Sequence, residues 1–168
     1  MSAPRMRPAG PDRAACAPRS SEAPLALGAL DEIVGFHIAR AAVSTLDAFE
    51  RHLGTPFELR KVEFSLLMLL HANAAVSPKP LARTLRVTAP KLSLLLDGLQ
   101  ARGLLQRRPN PQDGRSQHLQ LTLTGRRLAE RAADAARTME AELRAPLSAA
   151  EHAMLIELLA KLGAPGPG

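Results

Sequence analysis

The fold is decided by residues 77–103, which read SPKPLARTLRVTAPKLSLLLDGLQARG. Two helix-start signals stand close together in this stretch, Ser-Pro at 77–78 and Thr-Ala-Pro at 88–90. Serine and threonine favour the N-cap position, and proline fits the first turn of a helix. The two signals predict a short helix that ends near Arg86 and a second helix that ends near Arg102.

Only a tight turn separates the two predicted helices, so they must cross at a steep angle. This arrangement is a helix-turn-helix. The second helix has an apolar face at helical spacing, and Gly103 follows it as a C-cap. That face predicts that the N-terminal end and the polar side of the helix point outward. It comprises Leu92, Leu95, Leu96 and Leu99.

The periodicity of the sequence changes after Gly103. Residues 104–108 and 117–123 are predicted strands, and in the second strand leucines alternate with polar residues. The segment between them, residues 109–116, reads PNPQDGRS and is rich in turn-forming residues. A β-hairpin that follows a helix-turn-helix is a wing. The predicted fold class is therefore mainly α with a small β-hairpin wing.

Helices are predicted on both sides of this unit. Upstream, a first helix over 31–53 is predicted to break at Gly-Thr-Pro 54–56, and a second follows over 60–73. The second is apolar nearly all round, which predicts a buried central helix. Downstream, a long helix is predicted over 125–145, with Thr124 as its cap, and a last helix over 148–162. The last helix begins with the capping box Ser148-Ala149-Ala150-Glu151.

The positive charge of the chain is concentrated in one region. The net charge of the 168 residues is +6. Residues 77–127 hold ten basic and two acidic side chains and so carry +8, whereas the remainder holds twelve basic and fourteen acidic ones. Such a cluster indicates a polyanionic partner, because bound phosphates release counterions. Charge alone leaves open a solvated basic surface on an arginine-rich protein.

Several classes of protein are disfavoured. A single cysteine, Cys16, rules out an internal disulfide framework, and no apolar stretch is long enough to span a membrane. We expect no catalytic site, cofactor or metal site, since protease, Walker and nucleophile-elbow motifs are absent and the histidines are scattered. Residues 1–24, proline-rich and without an apolar signal core, are predicted to be a disordered basic arm of a cytoplasmic protein, and 163–168 a disordered tail.

Five motifs together suggest a family. They are Leu81-Ala82, the helix frame from Leu92 to Leu99, GLLQRR at 103–108, the wing PNPQDGR at 109–115, and LTLTG at 121–125. With these motifs the chain resembles the MarR (multiple antibiotic resistance regulator) family over about residues 31–162. The resemblance implies a transcriptional regulator that binds double-stranded DNA as a triangular homodimer.

The resemblance also implies a division of the chain. Residues 25–56 and 125–162 would supply long dimerisation helices, and 57–124 the winged DNA-binding lobe. We expect the narrow apolar stripe of the 125–145 helix to lie in the dimer interface rather than in the chain's own core, because so long a helix has little core of its own. The stripe comprises Leu128, Ala132, Ala135, Ala136, Met139 and Leu143.

DNA contacts are expected at the start of the second helix of the helix-turn-helix, since recognition helices enter the major groove by their N-terminal ends. The Lys91 side chain can contact guanine or a phosphate, and the Ala89 side chain can pack on a thymine methyl group. The alternative for Lys91 is a solvated surface lysine, and the alternative for Thr88 is that it only caps the helix. The sequence departs from the family frame at Leu94 and Gly98, where basic residues are common. The residues predicted to face DNA there are Thr88, Ala89, Pro90, Lys91 and Ser93.

The wing supplies the other predicted contacts. Family resemblance implies that Arg115 enters the minor groove, whose narrow walls concentrate negative potential, and that Asp113 orients it through a salt bridge. The alternative for this pair is an exposed ion pair of little energetic value. Arg107 and Arg108 are predicted to flank phosphates.

The resemblance further implies a ligand-responsive repressor that binds a pseudo-palindromic operator and releases it on binding a small anionic aromatic or phenolic effector. The candidate effector residues are His37, Arg40, Phe64, Met68 and His71. The alternative is that the phenylalanine and methionine belong to the core, and that each histidine is a hydrogen-bonded interior residue or a surface residue. Two other functions stay open, a sequence-nonspecific architectural DNA-binding protein and a protein-interaction module.

Overall fold

The computed structural model describes residues 25–110 and 113–164, of which 110 and 113–116 are described by their backbone alone. Its elements confirm the predicted fold class, mainly helical with one two-stranded antiparallel hairpin. In chain order they are a 3-10 turn Gly28–Glu32, α1 Val34–Phe49, a π-helical turn Glu50–Gly54, α2 Thr55–Phe57, α3 Lys61–Ala72, α4 Pro78–Leu85, α5 Ala89–Ala101, β1 Leu105–Asn110, β2 Asp113–Leu121, α6 Leu123–Arg144 and α7 Ala149–Gly163. The predicted arm 1–24 lies outside the described residues.

The predicted break at 54–56 is wrong, because the chain stays helical through Phe57. The backbone N–H of Leu59 donates to the carbonyl of Gly54 at 3.1 Å, which keeps a wide helical turn closed. The proline of this segment, Pro56, is the second residue of α2 and follows the π-helical turn directly. The helix ends instead at Glu58, whose φ of 52° is left-handed.

The core surrounds α3, as predicted for the central helix. Leucines from α3, α5 and the hairpin meet there, and the largest fully buried ones include Leu66, Leu67, Leu92, Leu99 and Leu119. The four-leucine face of α5 is buried throughout. This packing fixes α5 against the body of the domain and leaves the opposite side of the helix in solvent.

The hairpin is longer than predicted. β1 and β2 pair antiparallel with Leu105 opposite Leu121 and Pro109 opposite Gln117, so much of the predicted loop 109–116 is strand. In a two-stranded sheet both strands are edges, and an edge strand tolerates proline. A third segment joins through Val76, which exchanges backbone hydrogen bonds of 3.3 and 2.8 Å with Leu119.

The junction between β2 and α6 also differs from the prediction, because Thr122 and not Thr124 is the N-cap. The Thr122 hydroxyl accepts from the backbone N–H of Gly125 at 3.0 Å and donates to the carbonyl of Gly103 at 2.6 Å. A Cβ at Gly125 would lie 2.0 Å from the carbonyl oxygen of Leu104. In the LTLTG stretch at 121–125, Thr122 therefore caps α6, and Gly125 allows the backbone of α6 to lie close to that of Leu104.

Most of the apolar stripe of α6 packs against the core of its own chain, and its place in a dimer interface stays a prediction. Ala129 and Ala132 are fully buried, and the larger side chains Leu128 and Met139 are partly buried against the same core. The reason is that α6 contacts α3, the π-helical turn and α1 along its length. Small residues on α6 allow this close approach.

The uncovered apolar surface lies instead on α1 and α7. α7 begins at the predicted capping box, where Ser148 and Glu151 exchange hydrogen bonds, and it extends to Gly163, the first residue of the predicted tail. None of its residues is buried. Across the described residues, no helix is both long enough and apolar enough to cross a membrane. The exposed apolar residues of the two helices are Val34, Ile38, Val43 and Leu46 on α1, and Met154, Leu155, Ile156, Leu158, Leu159 and Leu162 on α7.

Candidate nucleic-acid interface

The N-terminal end of α5 projects from the domain. All five residues predicted to face DNA there, Thr88, Ala89, Pro90, Lys91 and Ser93, are exposed. Thr88 is the N-cap residue, as the sequence predicts, but its side chain makes no capping hydrogen bond. The first N–H groups of a helix point outward at this end and favour anions. The α5 tip, residues 88–93, thus presents hydrogen-bond donors and one cation to solvent.

The turn before α5 is held by backbone contacts. Arg86 ends α4 in the left-handed region with φ 52°, and Val87 donates to the carbonyl of Ala82 at 3.1 Å. Lys79, Arg83 and Arg86 on or just after α4 are exposed. The helix-turn-helix therefore places basic side chains on the element next to the α5 tip.

Arg107 does not project as a phosphate contact. Its Nη2 donates to Oδ1 of Asp97 on α5 at 2.5 Å, and 31% of its side chain is exposed. This contact ties β1 to the outer side of α5. Arg108 is exposed, with its Nη2 3.4 Å from Oε1 of Gln106. Of the two arginines predicted to flank phosphates, Arg108 is the one directed to solvent.

Asp113 and Arg115 lie on β2, at the end of the hairpin far from α5. Asp113 is opposite Asn110 in the register. Their side chains lie outside the described residues, so the predicted ion pair and the predicted contact of Arg115 with the minor groove stay predictions.

A cleft of about 460 Å³ opens between α4, α5 and the hairpin. Apolar side chains such as Ala82 and Leu96 form most of its surface, and Lys79, Ser93 and Arg107 lie at it. The cleft lies between the α5 tip, which contributes Ala89 and Ser93, and the wing, which contributes Arg107, Gln117 and Leu119.

The opposite end of α5 is anchored by a buried carboxylate that sequence reasoning missed. Glu63 is 4% exposed and accepts hydrogen bonds of 2.8 Å from both the backbone and the guanidinium of Arg60. Arg102, the C-cap of α5, lies 4.0 Å from the same carboxylate. Burial disfavours the Glu63 carboxylate, but the bonds from Arg60 outweigh it, and the pKa of Glu63 is lowered. The available signal was an acidic residue in the third position of a helix.

The five candidate effector residues do not share one described site. His37 and Arg40 are exposed on α1, where the His37 ring contacts the carbonyl of Asp31 at 2.8 Å. Phe64 is partly buried and stacks edge-to-face on Phe49 with centroids 6.0 Å apart, and Met68 also packs on the core. These two residues therefore fit the core interpretation.

His71 lines a second, polar cleft of about 600 Å³ between the end of α3, β2 and the start of α6. Arg126 and Glu130 of α6 line it as well. The other four candidates line neither this cleft nor the one beside α5.

The C-terminal half of α6 is connected to both neighbouring elements by ion pairs. Glu142 accepts from Arg51 at 2.5 Å and from His52 at 2.9 Å, both in the π-helical turn. These bonds lower the pKa of Glu142 to about 2. Two residues before it, Glu140 contacts His152 of α7 at 2.8 Å. α6 thus connects the π-helical turn to the exposed helix α7.

Comparison with known proteins agrees with this geometry. The sequence model of the MarR family matches residues 57–116, which span the helix-turn-helix and most of the wing. The multiple antibiotic resistance protein MarR of Escherichia coli (strain K12) is 30% identical over 109 residues, which cover 64% of this chain and 76% of that protein.

Solved structures give the same result. The transcriptional repressor CouR bound to a 23-mer DNA duplex is 32% identical, with a TM-score of 0.77, covering 84% of this chain and 99% of that one. A mutant of E. coli MarR complexed with operator DNA is 28% identical, with a TM-score of 0.69, covering 76% and 91%. The coverage extends beyond the lobe to the flanking helices. The chain belongs to the MarR family and is a DNA-binding transcriptional regulator, not an enzyme.

Proposed function

We propose that this regulator is a ligand-responsive repressor that acts in the cytoplasm and binds a pseudo-palindromic operator as a homodimer. The observation that carries the proposal is the exposed α5 tip, with Lys91 and Ser93 in solvent above a fully buried leucine face. A helix held in this way can enter a major groove without rearrangement. Arg108 and Arg115 are on the hairpin that follows α5 in the chain, within the segment of charge +8.

The homodimer is supported by the uncovered faces of α1 and α7. A helix with no buried side chain gains little from packing, and isolated helices of its length are marginal in water. Contiguous apolar surface of this kind marks an interaction site. A second copy would cover it with the same surface, which is the geometry of a two-fold dimer. Two-fold symmetry then places two α5 tips over half-sites about 10 base pairs apart.

The α5 tip and the wing have separate roles in this proposal. Lys91 and Ser93 contact base edges or phosphates in the major groove, and Thr88, Ala89 and Pro90 lie against the same edges. Arg115 enters the adjacent minor groove, oriented by Asp113, and Arg108 contacts phosphate. Arg107 acts indirectly, since it is bonded to Asp97.

The effector is proposed to be a small anionic aromatic or phenolic compound. Arg40 is exposed over the ring of Phe36, with its guanidinium carbon 5.6 Å from the centroid, and His37 is adjacent. A cation next to an aromatic ring suits a carboxylate attached to a ring. A panel of aromatic acids in a thermal-unfolding assay tests this. We expect at least one compound to raise the melting temperature and lower operator affinity, and no response to any compound would contradict it.

The DNA-binding assignment is tested by mobility-shift titration of an operator selected from random duplexes. Lys91→Ala and Arg115→Ala should each cost about 1–3 kcal/mol in operator affinity without loss of folding. Lys61→Ala is the matched control, since Lys61 is exposed at the start of α3, near the anchored end of α5. Equal affinities for the two variants and the control would reject the assignment. Competition with bulk genomic DNA separates a regulator from an architectural protein, which would show no preference for the operator.

A further inference from the structure

The outer side of α5 carries an unexpected apolar residue. Leu94 is 73% exposed, and within the described part of residues 57–122 it is the one large apolar side chain left exposed to this degree. The dimer does not account for it, because the exposed apolar residues of α1 and α7 form a separate surface on other elements. Leu94 instead lies one helical turn after Lys91, on the same side of the helix.

The neighbours of Leu94 define an apolar strip. Residues four positions apart lie on one helix face, so Pro90, Leu94 and Gly98 form a line along α5. Nothing lies within 4 Å of where a Cβ on Gly98 would be, so the space beside the strip is open. The nearest acid, Asp97, is paired with Arg107. The strip offers no side-chain hydrogen bond, and its one adjacent negative charge is compensated.

We propose that Leu94 is a specificity-determining residue that contacts the C5-methyl group of thymine in the major groove of the operator. This inference rests on the proposed role of α5 as the reading helix. Among the four bases only thymine presents a methyl group in the major groove, and apolar side chains read it by contact. The open space at Gly98, which has no side chain, lets the DNA approach closely. The +8 charge of the surrounding segment favours DNA over an apolar protein partner.

The geometry also restricts where the thymine lies. One helical turn along α5 is about 5.4 Å, and successive bases are about 3.4 Å apart along a strand. The thymine read by Leu94 should therefore lie within about two base pairs of the position contacted by Lys91. In a two-fold complex this thymine occurs once in each half-site.

The test replaces each thymine of the selected operator, one symmetric pair at a time, with deoxyuridine, which lacks the methyl group. For the wild-type protein, replacement at one of these thymine pairs should lower operator affinity. The expected loss is about fourfold for each methyl group removed, or about 15-fold for the two half-sites together. Leu94→Ala should bind the thymine and deoxyuridine operators equally at that pair. Leu94→Met keeps an apolar side chain and should retain most of the discrimination.

Controls separate this inference from its premise. Leu123→Ala removes an exposed leucine of the same size at the start of α6 and should leave the thymine preference unchanged. If Lys91→Ala weakens binding but no thymine shows a methyl effect that depends on residue 94, the assignment of Leu94 is overturned while α5 remains the reading helix. If Lys91→Ala has no effect, the premise itself fails.

Discussion

Arg107 on the first strand of the wing donates a hydrogen bond to Asp97 on α5, with 2.5 Å between Nη2 and Oδ1. The bond joins the two elements proposed to enter adjacent grooves. Asp97 also lies three residues after Leu94, on the side of the helix that we propose to face DNA. An acid on that side would repel phosphate if Arg107 did not compensate it. In this proposal the pair holds the wing against α5 and neutralises the one acidic side chain next to Leu94.

Removing this pair should lower specificity more than stability. Asp97→Ala deletes a negative charge near DNA, so affinity for random duplexes should rise, while the freed wing should lower the ratio of operator to random binding by about 1 kcal/mol, a factor of about five. The folded state should lose only about 0.2–1 kcal/mol. Asp134→Ala, which removes the exposed Asp134–Arg137 pair on α6, is the control. An unchanged specificity ratio for Asp97→Ala would show that the pair does not orient the wing.

The two glycines Gly125 and Gly98 should respond in opposite ways to alanine. A Cβ at Gly125 would lie 2.0 Å from the Leu104 carbonyl oxygen, so Gly125→Ala should destabilise the fold by about 1–3 kcal/mol. Gly98 is inside α5 with open space beside it, so Gly98→Ala should stabilise by about 0.5–1 kcal/mol. Urea unfolding at fixed protein concentration measures both. Similar midpoints for the two variants would contradict the close contact at Gly125.

A charge placed on α7 should separate the proposed dimer. Leu155→Glu would bury a carboxylate in the apolar interface, which is strongly unfavourable without a partner. Sedimentation equilibrium should give the mass of two chains for the wild type and of one chain for the variant. Because the variant has lost the dimer, its affinity for the operator should also be lower. Leu123→Glu is the control, because Leu123 is exposed outside the two apolar faces. A Leu155→Glu protein that remains dimeric would rule out α7 as the interface.

The contribution of Glu142 to stability should depend on pH. Its hydrogen bonds with Arg51 and His52 lower its pKa from 4.5 to about 2. The folded state therefore holds the carboxylate deprotonated more strongly than the unfolded state does. The resulting stabilisation is present above pH 4.5, decreases below it, and is lost as the pH falls through about 2.

Melting temperatures of the wild type and Glu142→Gln measure this effect at one protein concentration. The wild type should melt higher at pH 6, and most of the difference should be gone at pH 2. Glu130→Gln is the matched control for the removal of a carboxylate from the same helix. A difference that persists unchanged at pH 2 would contradict the proposed role of the carboxylate.

The helix-turn-helix could be predicted because its signals are local. The proline-marked starts of α4 and α5, Gly103 with its positive φ of 67°, and the Ser148 capping box each act within a few residues. The exposed α5 tip followed directly from the leucine periodicity. Each of these features depends on residue types and spacings within a few positions of the chain, which can be taken directly from the sequence.

The features that escaped prediction depend on contacts distant in sequence. The helix continues past residue 54 because Leu53, within the π-helical turn, and Leu59, beyond the end of α2, are both buried in the core. Thr122 caps α6 because its hydroxyl also reaches Gly103, and the α6 stripe is covered because α3 and the π-helical turn pack on it. The bond between Arg107 and Asp97 joins two elements whose relative orientation the sequence does not specify.

The most direct test of the whole account is the stoichiometry and footprint of the complex with the selected operator. Native mass measurement should give two chains on each duplex, and base-resolution footprinting should show two protected half-sites with centres about 10 base pairs apart. Each half-site should show major-groove protection that is lost in Lys91→Ala. One chain per duplex, or a single continuous footprint unaffected by Lys91→Ala, would contradict the proposal that two α5 tips read one symmetric site.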